Sequence, residues 1–153
     1  MKKTFTFALF ALMIASAIPA FAAVKANVSL AEDGDKLWAN ARLTGIESGQ
    51  TVTVTFRWTA PLVEYTTKKG KKVRLFSDTT LTCSRPLGDA DGPCVCSDTG
   101  EKGCQRTRAY RTLVTTLSNG TEVRAAGTWH VDVLIGFGTK DEYLIGQATY
   151  EIK

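Results

Sequence analysis

The feature that most constrains the fold of this chain is an alternation of apolar and polar residues with a period of two. In segment 51–58 the two sets separate, with Val52, Val54, Phe56 and Trp58 on one face and Thr51, Thr53, Thr55 and Arg57 on the other. Segment 129–135 repeats the pattern with Trp129, Val131, Val133 and Ile135. Successive side chains of a strand point to opposite faces, so this period indicates strands with one buried face. No segment shows the apolar stripe of an amphipathic helix, and the predicted fold class is all-β.

Weaker alternation predicts the remaining strands. The last strand is expected to turn Leu144, Ala148, Tyr150 and Ile152 inward, with Ile145 off the pattern. The other predicted strands are Lys25–Leu30, Leu37–Leu43, Leu62–Thr66, Val73–Phe76, Thr79–Cys83, Arg108–Leu117 and Thr121–Ala125. Asn119-Gly120 predicts a type I′ hairpin, because these two residues tolerate the positive φ angles of that turn. We expect roughly eight to ten antiparallel strands in two sheets.

The closing segment Gly127 to Ile152 carries a family resemblance. Gly127-Thr128-Trp129 leads a strand of alternating valines, and Leu144 to Gly146 and then Tyr150 to Ile152 form the strand that follows a short turn. This pattern resembles the last hairpin of immunoglobulin-like domains in exported bacterial proteins. The resemblance implies an antiparallel Ig-like β-sandwich, although the chain lacks the Cys-Trp-Cys spacing of antibody-type domains.

The first 22 residues read as a cleaved export signal. Lys2 and Lys3 form the positive region, Phe5 to Ile18 the apolar region, and Ala20-Phe21-Ala22 the cleavage site. An uncleaved membrane anchor over Phe5 to Val24 is the alternative interpretation. We therefore expect a signal peptide at 1–22, a single domain at 23–153 without a transmembrane segment, and a periplasmic or secreted location.

Charge argues against a nucleic-acid partner. Without Lys2 and Lys3 the 19 basic residues fall to 17, against 15 acidic ones, which leaves a formal charge of +2. Nucleic-acid-binding domains are usually far more basic, so only local patches favour an anionic partner. The partner that we expect is a protein or an anionic component of the envelope.

Four cysteines, at 83, 94, 96 and 104, lie close together in a segment with few apolar side chains. Export places them in an oxidising compartment, which predicts two disulfides and a Cys-braced loop over 83–104. Two pairings remain open: Cys83 with Cys94 and Cys96 with Cys104, which we favour, or Cys83 with Cys96 and Cys94 with Cys104. Such bridges either keep the loop compact or prepare it for recognition. The cysteine spacing does not fit a zinc site, and we predict no metal and no cofactor.

Two basic groups are the candidate binding residues. Lys68, Lys69, Lys71 and Lys72, followed by Arg74, crowd the tip of a predicted hairpin, while Arg106 and Arg108 would share one face of a strand. The hairpin group either contacts an anionic surface or only solubilises the tip. Trp38, Trp58 and Trp129 are all expected in the core.

Catalytic patterns are sparse. His130 and Asp132 lie two residues apart on one strand face, but the sequence places no nucleophile beside them, and we predict that the protein is not an enzyme. Two functions remain. The first is a non-enzymatic binding module of the bacterial envelope. The second is a structural subunit or assembly factor of an envelope or pilus-like complex, joined to its neighbours by strand addition.

Overall fold

The computed structural model describes residues 24–46, 52–83, 94–98 (backbone only) and 106–153. The predicted signal peptide at 1–22 lies outside the described residues. Within them the regular structure is all strand, which confirms the predicted fold class. The strands are β1 (Lys25–Asp33), β2 (Lys36–Thr44), β3 (Val54–Thr59), β4 (Glu64–Thr66), β5 (Lys72–Arg74), β6 (Thr79–Cys83), β7 (Cys94–Asp98), β8 (Arg106–Thr112), β9 (Val114–Thr116), β10 (Glu122–Arg124), β11 (Gly127–Ile135) and β12 (Tyr143–Ile152). No helix of the described ranges could span a bilayer.

Two four-stranded antiparallel sheets form a sandwich-like body. Sheet I has the strand order β1-β2-β8-β7, and sheet II has the order β12-β11-β3-β6. Both sheets bury one face in a shared apolar core. Sheet I contributes Leu37, Ala39, Ala41, Leu43 and Ala109, and sheet II contributes Val54, Phe56, Trp58, Trp129, Val131, Val133, Ile135 and Ile152. The inward faces predicted for segments 51–58 and 129–135 are therefore confirmed.

One polar residue of segment 51–58 departs from its predicted exposure. Thr55 was expected on the solvated face, but it is buried in the middle of sheet II. Its Oγ1 lies 2.9 Å from Oγ1 of Thr82 on the neighbouring strand β6. The hydroxyl pair satisfies both side chains, so a threonine is tolerated where water is excluded.

The two remaining sheets are the short hairpins β4–β5 and β9–β10. The predicted strand Arg108–Leu117 is split into two parts, because the chain leaves β8 at the buried residue Leu113. The first part belongs to β8 in sheet I, and the second part forms β9 of the β9–β10 hairpin. There, the Leu113 N–H donates to the Asp35 carbonyl at 2.7 Å, and its own carbonyl accepts from Ala125 N–H at 2.7 Å. Leu113 thus fastens the β9–β10 hairpin to sheet I.

The Asn119-Gly120 hairpin forms where the sequence predicts it, but the type I′ turn is wrong. Gly120 has a φ of 82°, whereas no non-glycine residue of the described ranges has a positive φ. Gly120 N–H donates to the Leu117 carbonyl at 2.9 Å, and Leu117 N–H donates to the Thr121 carbonyl at 2.8 Å. This is a three-residue loop, a type I turn closed by a left-handed glycine. Asn119 instead accepts a hydrogen bond from Thr121 N–H through its side chain, at 3.0 Å.

In the last strand, β12, one residue lies on the opposite face from the one that the sequence predicts. β12 pairs with β11 in regular register up to Val133 and Gly146, after which Leu134 pairs with Leu144 and Ile145 is left as an extra residue. This bulge reverses the phase of the strand. Ile145 is consequently buried, and Leu144, which was predicted to point inward, is 47% exposed.

The cysteine-rich segment contains a strand that the sequence did not reveal. β7 pairs antiparallel with β8, placing Cys94 opposite Ala109 and Cys96 opposite Thr107. Ala109 and Thr107 are buried, so both cysteines occupy inward register positions of sheet I. Cys83 is buried at the end of β6, and β6 and β7 are neighbouring edges of the two sheets. The rest of the 84–105 segment, with Cys104, lies outside the described residues, and the disulfide pairing stays a prediction.

Candidate binding face of sheet I

The outer face of sheet I is built by the alternation of β2 and β8. Since Leu37, Ala39 and Ala41 point into the core, the residues between them point outward. The pairing of the two strands sets Trp38 opposite Tyr110, Asn40 opposite Arg108 and Arg42 opposite Arg106. A continuous outer surface therefore carries two aromatic rings and a row of cations.

The aromatic rings and two of these cations form a stack. The ring centroids of Trp38 and Tyr110 lie 4.8 Å apart at an interplanar angle of 55°. The Arg108 guanidinium carbon lies 4.4 Å from the Trp38 centroid, and Lys36 Nζ lies 4.4 Å from the Tyr110 centroid. Cations within about 6 Å of a ring centroid are attracted by the electron-rich face of the ring. The four side chains consequently hold one another in place on the surface.

Trp38 contradicts the expectation that all three tryptophans belong to the core. Trp58 and Trp129 are fully buried, as predicted. Trp38 is only half-buried, because it stands at an outward position of β2. The signal was present in the sequence, since Lys36, Trp38, Asn40 and Arg42 alternate with Leu37, Ala39, Ala41 and Leu43. A tryptophan on the polar side of an alternating strand indicates a surface ring.

A polar depression of about 400 Å³ continues this surface toward β1, lined mainly by Asn27, Ser29, Asn40, Arg42 and Arg106. Asn27 and Ser29 reach it because β1 pairs them with Arg42 and Asn40. The depression therefore offers amides and a hydroxyl beside two guanidinium groups.

We call this surface the basic-aromatic face and define it by Lys36, Trp38, Arg42, Arg106, Arg108 and Tyr110. Strand register places Asp33 opposite Lys36, while the face itself carries four cations. Arg42 and Arg106 lie directly opposite each other, where like charges are unfavourable. The face is thus a local positive patch.

Of the sequence-predicted binding residues, Arg106 and Arg108 belong to this face, and the structure confirms that they share one side of a strand. The sequence reasoning missed Lys36, Trp38, Arg42 and Tyr110, because strand pairing brings β2 beside β8 from a distant part of the chain. Arg111 points the other way, and its Nη2 donates to the Ser77 carbonyl at 3.3 Å. Burial lowers the pKa of Arg111.

The lysine group forms a separate surface at the β4–β5 hairpin. Two of its members have structural partners. Lys72 lies 3.5 Å from Glu64, and Arg74 lies 2.9 Å from Asp78 and donates to the Ala60 carbonyl at 2.9 Å. The hydrogen bond from Ala60 N–H lowers the pKa of Asp78, and Arg74 adds to this effect against the cost of desolvation.

The other three lysines of that hairpin differ from Lys72 and Arg74 in their surroundings. Lys68, Lys69 and Lys71 are exposed at the turn, and none of them makes an ion pair within the ranges that the structure describes. The structure therefore divides the predicted group into a salt-bridged base and a solvated tip. We call Lys68, Lys69 and Lys71 the lysine tip.

His130 and Asp132 form an ion-pair network on the outer face of sheet II. His130 Nε2 lies 2.7 Å from Asp132 Oδ1, and Arg57 Nη2 donates to Asp132 Oδ2 at 2.7 Å. Arg57 also lies 3.6 Å from Glu142. Burial acts to raise the pKa of Asp132, but the hydrogen bonds from Arg57 and His130 outweigh it and leave the pKa lowered. Both oxygens of Asp132 are engaged, so the network ties β3 to β11.

Comparison with known proteins identifies no relative: no family model, no curated protein and no solved structure matches this chain.

Proposed function

We propose that this protein is an exported, non-enzymatic recognition module of the bacterial envelope and that it binds through the basic-aromatic face. In this proposal the chain carries a signal peptide over 1–22, and its sandwich is Ig-like and braced by disulfides among Cys83, Cys94, Cys96 and Cys104. The ligand is a protein or an anionic component of the envelope.

The observation that supports this function is the stack of Arg108, Trp38, Tyr110 and Lys36 on an outward sheet surface. A half-buried tryptophan at an outward strand position leaves apolar area in contact with water. Tryptophan, tyrosine and arginine are also the residues that contribute most to binding at protein surfaces. Their mutual contacts lower the entropic cost of binding, because the side chains are ordered in advance.

The alternative function, a structural subunit that accepts or donates a strand, requires an accessible sheet edge. At one side of the sandwich the edges β1 and β12 come together. A Cβ added at Gly146 would lie 2.8 Å from Val28 Cγ2, and nearer still to the Ala26 carbonyl oxygen. This close approach leaves little room for a strand between them, and the outer face is the better supported surface.

A pull-down from envelope extract tests the proposal with three forms of the protein. The first is the unmodified chain, the second carries Trp38→Ala and Arg108→Gln, and the third carries Lys68→Gln, Lys69→Gln and Lys71→Gln as a control that removes positive charge from a different surface. We expect one partner to be lost from the second form only. Circular dichroism melting confirms that each variant is folded. Loss of every partner from the lysine variant alone, or retention of all partners by both variants, contradicts the proposal.

A further inference from the structure

We propose that the ligand of the basic-aromatic face is an acidic polysaccharide, a linear chain of sugar rings carrying carboxylate or phosphate groups. This inference rests on the function proposed above and specifies its ligand class. Three observations support it: the length of the face, the state of Arg108, and the neutral polar groups beside the cations.

The face is elongated. Its side chains follow β2 from Lys36 to Arg42 and β8 from Arg106 to Tyr110. Seven residues of an extended strand span roughly 20 Å. Cations stand at both ends and in the middle of this distance. A single small anion would occupy only one of these positions, whereas an extended polyanion engages them together.

Arg108 is prepared to bind an anion. Its guanidinium lies against the Trp38 ring, and its buried Nε has no hydrogen-bond partner within the described residues. Within the described part of the chain no acceptor pairs with this guanidinium. The planar fork of an arginine matches a carboxylate or a phosphate in a bidentate arrangement. Because stacking already fixes the side chain, less entropy is lost when that arrangement forms.

The depression next to Arg108 suits sugar hydroxyls. Asn27, Asn40 and Ser29 line it together with Arg42 and Arg106. Amides and hydroxyls both donate and accept hydrogen bonds, as sugar hydroxyls do. The paired positions of Arg42 and Arg106 place positive groups at the same end of the face as these neutral polar groups.

A single-stranded nucleic acid is the competing polyanion, since its bases stack on aromatic rings. Two features favour the polysaccharide. The Trp38 ring already has Arg108 over it and Tyr110 packed against it at a tilt, so these contacts compete with the stacking of a base on the ring. The chain as a whole also has nearly balanced charge.

Titration with defined polymers tests the inference. The purified protein is titrated with polygalacturonate, which carries carboxylates, and with a phosphorylated mannan, which carries phosphates. Dextran is the neutral control, and an oligodeoxynucleotide represents nucleic acid. Isothermal calorimetry gives each Kd, and tryptophan fluorescence with Trp38→Phe reports whether the signal arises at the face. The variants are Arg108→Gln and Arg42→Gln, with the triple lysine-tip variant as control.

We expect saturable binding of at least one acidic polysaccharide. The Arg108→Gln variant should bind it about tenfold or more weakly, because a charge-assisted pair is lost. The lysine-tip variant should stay within about twofold of the unmodified chain, because its cations lie on another element. The polymer that binds identifies the acidic group.

Other outcomes separate the two proposals. Equal affinity for dextran, tighter binding of the oligodeoxynucleotide, or no binding of either acidic polymer overturns the ligand class. If the envelope partner in the pull-down still depends on Trp38 and Arg108, the proposed function survives that result. If the acidic polymers bind but lose affinity only in the lysine-tip variant, the basic-aromatic face is the wrong site for them and the ligand proposal fails. The proposed function fails as well if the pull-down partner also depends only on the lysine tip.

Discussion

At the scale of the residue, the two core tryptophans differ in the hydrogen bonding of their indole nitrogens. Trp58 and Trp129 are fully buried, and their rings meet edge to face with centroids 6.2 Å apart. Trp129 Nε1 donates to the Ala125 carbonyl at 3.2 Å, whereas the buried Trp58 Nε1 has no hydrogen-bond partner among the residues that the structure describes. The alternation of the strands predicted the burial of both rings. It did not predict which indole nitrogen would find an acceptor, because Ala125 comes within reach only through the bend of the chain before β11.

This difference predicts unequal costs for the same substitution. Trp129→Phe should lower the free energy of unfolding by about 1 kcal/mol more than Trp58→Phe, because only the former gives up a hydrogen bond. Urea denaturation of the two variants measures the difference. Equal losses, or a greater loss at Trp58, would contradict this assignment of the two indole nitrogens.

The lowered pKa of Asp132 should make the stability of the fold depend on pH. Its pKa is lowered in the folded protein, where Arg57 and His130 hydrogen-bond the charged form. A carboxylate with a lowered folded pKa stabilises the fold above its unfolded pKa, about 4, and this contribution is lost as the pH falls through the folded pKa. The stability difference between the unmodified chain and Asp132→Asn should therefore shrink between about pH 5 and pH 3.

Urea denaturation at each pH measures that difference. Asp141→Asn is the control, since Asp141 is exposed and makes no ion pair in the part of the chain that the structure describes. A difference for Asp132→Asn that stays constant or grows on acidification would show that the ion pairs do not hold this carboxylate charged.

At the scale of the element, the bulge in β12 decides which residues the last strand buries. The extra residue at Ile145 turns this side chain into the core and leaves Leu144 outside. Sequence reasoning found the strand and the inward positions Ala148, Tyr150 and Ile152, but it could not resolve two adjacent apolar residues, because either satisfies the hydrophobic pattern. The pairing with β11 selects one of them.

Gly146 lies beside this bulge, where β12 comes close to β1. An added Cβ would lie 2.8 Å from Val28 Cγ2, and nearer still to the Ala26 carbonyl oxygen, which is backbone and has little freedom to move. Gly146→Ala should therefore lower the free energy of unfolding by about 1–3 kcal/mol, the usual cost of overpacking. Gln147→Ala, at the next and exposed position, should change it by less than about 0.5 kcal/mol. Thermal and urea denaturation compare the two, and equal effects would mean that the strands do not close tightly here.

At the scale of the whole molecule, the sandwich brings together cysteines that are separated along the chain. Cys83 ends one edge strand, and the neighbouring edge strand of the opposite sheet carries Cys94 and Cys96. A bridge between Cys83 and either of them would join the two sheets, while the other would remain for Cys104.

We therefore predict that the purified protein resists alkylation until it is reduced. Peptide mapping under non-reducing conditions should link Cys83 to Cys94 or Cys96. Removing this bridge with Cys83→Ala should lower the free energy of unfolding by about 2–5 kcal/mol, the usual cost of removing a native disulfide from a small domain. Four alkylatable thiols in the native protein, or a link between Cys83 and Cys104, would contradict the predicted pairing.

The sequence by itself determined the fold class, most of the strand positions and the inward faces of β3 and β11, because alternation with a period of two is a local property that each strand carries alone. Only the tertiary structure decided the phase of β12, the turn type at Asn119-Gly120 and the composition of the basic-aromatic face. These depend on which strands pair and in which register. The face joins β2 to β8, which lie more than sixty residues apart in the chain. No local pattern connects Trp38 with Arg108, and their contact exists only because the two strands are neighbours in one sheet.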